Sequence, residues 1–305
     1  MFLAYVVLAL LGKCVLSCNL NDPRLIDWAK QRVEVLGNCS ALSAGSEPVS
    51  YKVPSVKLFV YHNDEHEVVA DFLQYHSYVF GFKSIVVIDQ DSQLDSVCKT
   101  LALYQHCGTE VITTNASFLL KGVTLTTVML KYNSTLLIPL DSDELIFPFS
   151  HETPRAVAID RDEVWKAFKE LPIDGRKYKF HLYAHVVPTA SVCQDSFKTQ
   201  DLEFRRCVNN DLYFELYNAQ PRTKTFFPSR GFIYTDDGNH YGLVKHDKGR
   251  TNDHSAVAAN MTHYYAVLRA QMLHYPVGGY RGALDKYVRA SSHMGFTGDT
   301  IDAAK

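Results

Sequence analysis

The chain has 305 residues, enough for one large domain or two small ones. With 47% hydrophobic and 21% charged residues it has the composition of an ordinary globular protein, with no repeat and no low-complexity stretch. A net charge of −2 gives no electrostatic case for a nucleic-acid partner.

Phe2 to Leu11 is apolar, Gly12 and Lys13 interrupt it, and Val15-Leu16-Ser17 can precede a cleavage point. This pattern is that of a secretory signal peptide over 1–17, although no basic residue precedes the apolar run. The run falls short of the about 20 residues that a transmembrane helix takes. An uncleaved signal anchor is the alternative, and only then would a membrane be a partner. Of the seven cysteines, Cys14 lies inside this segment. The others are Cys18, Cys39, Cys98, Cys107, Cys193 and Cys207. Six cysteines permit about 15 pairings, and neighbours in sequence would pair as Cys18–Cys39, Cys98–Cys107 and Cys193–Cys207. Acceptor sequons stand at Asn38, Asn115, Asn133 and Asn260. Together these features predict a chain of the secretory lumen (ER or Golgi) or one that is secreted, with type II anchoring as the variant.

Residues 18–54 read as a stem, with turn-rich ends around a short amphipathic helix from Leu25 to Leu36. The core is predicted to begin at Val56. Val56 to Tyr61 reads as a buried strand. Glu65 to Phe80 reads as a helix with apolar residues at three- and four-residue steps, ended by Gly81. Ser84 to Asp89 reads as a second buried strand, Leu94 to His106 as a helix, Glu110 to Thr113 as a short strand and Phe118 to Tyr132 as a helix. Thr135 to Leu140 is the next strand. Past Pro148, Glu163 to Leu171 reads as a short helix. Tyr178 to Val187 and Phe226 to Tyr234 read as strands of a mixed or antiparallel part. The tail from Ser291 to Lys305 reads as loosely ordered. Trp28 and Trp165 read as packing residues, and His76 as a satisfied helix residue.

Alternating strands and helices predict an α/β fold, a mostly parallel sheet with helices on its faces. Ligands then sit beyond the carboxyl ends of the strands. Those ends carry His62, Asn63 and Asp64, then Asp89, then Asp141 and Asp143. Polar residues thus converge on one edge, as a nucleotide pocket requires. The last strand runs directly into three acids, Asp141, Asp143 and Glu144, and becomes apolar again at Leu145-Ile146-Phe147. Asp141 and Asp143, at i and i+2, can both reach one hard cation such as Mg²⁺ or Mn²⁺ where the chain turns.

Several motifs occur in a familiar order. They are Asn63-Asp-Glu65, Asp71-Phe-Leu-Gln-Tyr-His76, Gly81-Phe-Lys-Ser-Ile85, Asp89-Gln-Asp-Ser-Gln-Leu-Asp95 and Leu140-Asp-Ser-Asp-Glu-Leu-Ile146. Later comes His274-Tyr-Pro-Val-Gly-Gly-Tyr-Arg-Gly-Ala-Leu-Asp-Lys286. In order and spacing the chain resembles the GT-A-fold glycosyltransferases of the family 2-like and family 92-like groups, over about 56–150 and 220–290. It departs from their pattern at Gln90, where Asn is common, and at Leu145-Ile146, where Phe-Ile or Phe-Leu is usual.

The resemblance implies a GT-A (Rossmann-like) nucleotide-diphospho-sugar transferase fold over 55–290, with a small antiparallel acceptor-side portion. It implies Asp141 and Asp143 as an Asp-x-Asp holding Mn²⁺ or Mg²⁺ against the donor diphosphate, with His274 closing the metal shell. It implies Asp89 at the base or ribose, and Lys224 and His240 near the phosphates. His62, Asn63 and Ser142 are the remaining donor-site candidates. The implied activity is metal-dependent transfer of a hexose or pentose from a nucleotide-sugar, UDP-linked, to a glycan, glycoprotein or glycolipid. Such transfer passes through an oxocarbenium-like state. An inverting enzyme also needs a carboxylate to take the acceptor proton. Candidates are Asp195, Glu215, Asp236 and Asp237, and Asp237 is carried forward. Glu144 is expected to steady the metal loop from behind.

Two other readings compete. His62-Asn-Asp-Glu65-His66 fits the His-x-x-Glu-His pattern of zinc metallopeptidases, which needs both histidines on one helix face. A secreted, non-catalytic carbohydrate-binding module is the other.

Overall fold

The structure is a computed structural model. It describes residues 18–43, 55–63, 66–116, 118–148, 161–171, 175–184, 197–198, 203–204, 223–239, 241–245 and 265–274. The first element is helix α1 (Pro23–Leu36). Its start is set by Asp22, whose side chain accepts the Arg24 backbone N–H, and by proline at the first helical position. Gly37, at φ 86°, ends it in a backbone region that other residues rarely adopt.

Helix α1 lies against a helix of the core, α3 (Asp95–His106), and two disulfides bolt the pair, Cys18–Cys98 and Cys39–Cys107. The neighbour pairing of Cys18 with Cys39 and Cys98 with Cys107 is therefore corrected. The reason is helix length. Fourteen residues of α1 stand between Cys18 and Cys39, a span of about 21 Å, whereas a disulfide joins Cα atoms no more than about 7 Å apart. Each bond instead joins like ends of the two helices. The third predicted pair, Cys193–Cys207, lies outside the described residues, as do residues 1–17 and the tail 291–305.

The core follows in the expected alternation: β1 (Val56–His62), α2 (His66–Phe80), β2 (Ile85–Gln90), α3, β3 (Glu110–Thr114), α4 (Lys121–Met129) and β4 (Leu136–Asp141). Then come β5 (Glu144–Pro148), α5 (Arg161–Lys169), β6 (Lys177–Ala184), β7 (Thr223–Pro228), β8 (Phe232–Thr235), β9 (Gly242–Val244) and β10 (Tyr265–His274). Eight strands form one sheet in the order β3-β2-β1-β4-β7-β6-β10-β5. Strands β3, β2, β1 and β4 are mutually parallel, and β6 pairs parallel with β10. The pairings of β7 with β4 and β6, and of β5 with β10, are antiparallel. The fold is thus mixed α/β, with a mostly parallel central sheet and a smaller antiparallel part, as the sequence pattern predicts.

Strands β1, β2 and β4 are buried on both faces, which is why they read as continuous apolar runs. One face (Leu58, Val60, Ile85, Val87, Ile138) packs under α2, α3 and α1. The other (Phe59, Val86, Ile88, Leu137) packs under Leu125, Val128 and Met129 of α4 and under Phe232 and Val244 of the β8–β9 ribbon.

Two readings change. The run Phe226 to Tyr234 is not one strand: Ser229 to Gly231 turn the chain, and β7 and β8 join different sheets. The helix expected from Phe118 begins only at Lys121, after a single 3₁₀ turn.

Candidate functional site

Strand β4 carries its apolar run to the rim and ends in Asp141, whose side chain keeps 25% of its surface exposed. In register, Tyr61 of β1 pairs with Asp141, and His62 pairs with Asp89 of β2. Three adjacent parallel strands therefore bring Asp141, His62 and Asp89 to one carboxyl edge, where α/β folds build their sites. Ser142 and Asp143 form a two-residue turn, both buried, and lead into β5 at Glu144. The Glu144 Oε2 accepts the Asp141 backbone N–H at 2.9 Å and closes this turn. Across the ladder, β10 places His274 in register with Glu144.

Two lysines meet at Asp141. Lys121, the first residue of α4, donates to Oδ1. Lys224 of β7, only 2% exposed, donates to Asp141 Oδ2 at 2.6 Å and to the Gly238 carbonyl at 2.6 Å, and forms an ion pair with Glu144 Oε1 at 2.8 Å. Burial raises the Asp141 carboxyl, but the charges and hydrogen bonds of Lys121 and Lys224 outweigh it and hold the group well below the usual carboxylate range. Burial likewise lowers the Lys224 ammonium, and Asp141 and Glu144 together push it above its ordinary value.

The turn after β8 forms the third wall. Asp237 Oδ1 accepts the backbone N–H of Gly122 at 2.5 Å and so ties the turn to the first residues of α4. A Cβ on Gly122 would stand 2.8 Å from that oxygen and 2.9 Å from the Asp236 carbonyl carbon, so the approach needs glycine. Asn239, fully buried and at φ 57°, directs Nδ2 toward Asp141 Oδ1 at 3.4 Å. Among the described residues its Oδ1 has no hydrogen-bond partner.

The remaining expected residues divide. Asp89 is fully buried and accepts from the Ser92 hydroxyl at 2.5 Å and the Ser92 N–H at 3.4 Å, so it organises the loop after β2. Asn63 donates to the Gln90 carbonyl and joins the same loop to β1. His62 is buried. His240, Asp195 and Glu215 lie outside the described residues. Lys121, Gly238 and Asn239 were not anticipated. Lys121 did leave a signal, as the lone charge in Phe118-Leu-Leu-Lys-Gly-Val123.

A divalent ion on Asp141 needs an open carboxylate oxygen. Both Asp141 oxygens accept ammonium hydrogens, and Glu144 is engaged at both of its own. Among the described residues, no three His, Cys, Asp or Glu side chains form a group able to hold a metal. With both lysines in place, the described side chains around Asp141 offer Mn²⁺ or Mg²⁺ no ready-made set of ligands, and the side chain of His274 lies outside the described residues. The zinc-peptidase arrangement is not met either: His62 ends β1 and His66 opens α2, so the two share no helix face.

No family model matches the sequence, and no curated protein matches it. Several solved structures are similar, among them the following two. One is a mannosyltransferase from Pyrobaculum calidifontis in complex with GDP-Man and Mn²⁺, with 13% identity over 54% of this chain and 48% of that chain, at a TM-score of 0.30. The other is GalNAc-T7 with UDP, GalNAc and Mn²⁺, with 12% identity over 88% of this chain and 56% of that chain, at a TM-score of 0.41. The chain thus spans about half the length of each. The site geometry described above stands apart from these likenesses.

Proposed function

We propose that this chain is a GT-A-type glycosyltransferase that moves a sugar from a nucleotide-sugar donor, UDP-linked, to a glycan, glycoprotein or glycolipid acceptor. The observation that carries the reading is the register of the parallel strands. Tyr61 opposite Asp141, and His62 opposite Asp89, set the acidic turn 141–144 and the Asp89 loop on one rim. A donor nucleotide lying beyond strand ends at such a rim is the general arrangement of open α/β sheets.

Each residue then has a task. The Asp89–Ser92 pair and the Asn63–Gln90 contact hold the loop that faces the nucleoside. Asp141 orients Lys121 and Lys224 at the diphosphate end. Asp143, on the turn between β4 and β5, faces the sugar. Asp237 is the proton acceptor for the incoming hydroxyl. It shares a turn with Gly238 and Asn239, which both touch the site. His274 borders the acidic turn through its pairing with Glu144. The bond from the anomeric carbon to the diphosphate oxygen breaks as the acceptor oxygen attacks, and positive charge builds on the sugar ring. No step is assigned to a divalent ion, because Lys121 and Lys224 hold both Asp141 oxygens in this structure.

Two disulfides suit an oxidising compartment. Among the described residues no helix is long and apolar enough to cross a membrane. The proposed setting is the secretory lumen or the exterior, with residues 1–17 as signal or anchor.

The test is release of UDP or GDP from a panel of nucleotide sugars, with and without glycan acceptors. Asp143→Ala should abolish turnover while the melting temperature stays within a few degrees of wild type. Full activity in that variant would move the site elsewhere.

A further inference from the structure

Three carboxylates within four positions, Asp141, Asp143 and Glu144, stand at a rim where Asp143 and Glu144 are buried. Buried carboxylates demand compensating positive charge close by. A divalent ion would bring two charges. Lys121 and Lys224 bring the same two, and they are covalently part of the fold. Lys224 is also complete as a cation. Its ammonium has three hydrogens, and three oxygens surround it, from Asp141, Glu144 and the Gly238 carbonyl, at 2.6 to 2.8 Å. The oxygens that a hard ion would take are those that this ammonium holds. An ion on Asp141 would therefore have to compete with the two lysine contacts for the same oxygens.

We propose that the Lys121–Lys224 pair takes the place of a divalent cation at this site, so that a nucleoside diphosphate binds here without Mn²⁺ or Mg²⁺. The inference rests on the nucleotide-sugar reading above and deepens it. With its hydrogens taken, Lys224 acts on a phosphate through its charge alone, as a lysine point charge can. Two such charges on one carboxylate leave the cluster less negative by the same amount as one bound ion would. The pair comes from two separate elements, the start of α4 and the start of β7, so the charge is set in place when those elements pack and needs no ion uptake.

The experiment is calorimetric titration of the full chain with UDP and with GDP, once in EDTA and once in excess MnCl₂. The expected result is a dissociation constant for the preferred nucleotide that agrees within about twofold between the two conditions. In the same format Lys121→Met should weaken binding at least tenfold in EDTA. Titration with MnCl₂ alone should show no binding to the wild type and measurable binding to Lys121→Met, where an Asp141 oxygen is released. Nucleotide binding that requires MnCl₂ would overturn the inference while leaving the glycosyltransferase reading intact. So would MnCl₂ binding to the wild type alone. Absence of UDP and GDP binding in both conditions would instead sink that reading, and this inference with it.

Discussion

The Lys224 ammonium lies 2.6 Å from Oδ2 of Asp141, and the two residues come from strands that are neighbours in the sheet yet 83 positions apart in sequence. Removing the ammonium without replacing its charge strands the buried Glu144 carboxylate and leaves Asp141 with Lys121 alone. Lys224→Met should therefore cost about 3–5 kcal/mol in urea unfolding. A cycle with Asp141→Asn should show the two losses to be strongly non-additive, by about 1–3 kcal/mol. Simple additivity would mean that the pair is not coupled.

His76 is the second buried titratable group with a consequence. Its Nδ1 donates to the Phe72 carbonyl at 3.1 Å, and it is packed among the rings of Phe72, Tyr75 and Phe80. Among the described residues its Nε2 has no partner, so it is only half-satisfied, and burial pushes it down to about 3 from 6.5. In the unfolded chain it protonates near 6.5, whereas in the fold it does not. Stability is whole above that value and falls as the pH drops from 6.5 toward 3. Between pH 7 and pH 5 the loss should be on the order of 2 kcal/mol. His76→Met should flatten this dependence, as read by urea midpoints at the two pH values.

The disulfides span 80 and 68 residues. Loop closure on that scale is worth about 4 kcal/mol each in the chain-entropy estimate. Cys39→Ala with Cys107→Ala should lower stability by roughly that amount, and non-reducing peptide maps should recover Cys18 with Cys98. Recovery of a Cys18–Cys39 peptide would contradict the parallel bolting of α1 to α3.

Gly122 is the tightest junction of the site. Gly122→Ala should force the Asp236–Asn239 turn away from α4 and loosen Gly238 and Asn239 from Lys224 and Asp141. Donor affinity should fall more than global stability, which should drop by about 1–3 kcal/mol. An unchanged affinity would separate the turn from the site.

Much of this was visible in the residues. Strands β1, β2 and β4 announce themselves because burial on both faces needs unbroken apolar runs. Helix α2 shows a clear three- and four-residue period that stops at Gly81, which takes φ 83°. The acidic turn and the Asp89 loop were both placed at strand ends from those runs alone. What failed or went unassigned depends on distant packing. Residues 265–274 are rich in helix formers (Ala, Leu, Arg, Gln, Met) and become β10 only because β5 and β6 flank them. The disulfide partners follow from helices lying side by side, which spacing does not encode. The Asp141 contacts were missed because Lys121 and Lys224 approach from α4 and β7, and nothing local links either lysine to the acids. The break between β7 and β8 was readable, since Ser229-Arg230-Gly231 ends at φ 95°.

Cys18 is fastened to Cys98, and its backbone N–H donates to the Ser92 carbonyl at 2.8 Å. The lead-in to α1 is thereby fixed at the rim that carries the Asp89 loop, so reducing this one bond should loosen that loop as well as the helix.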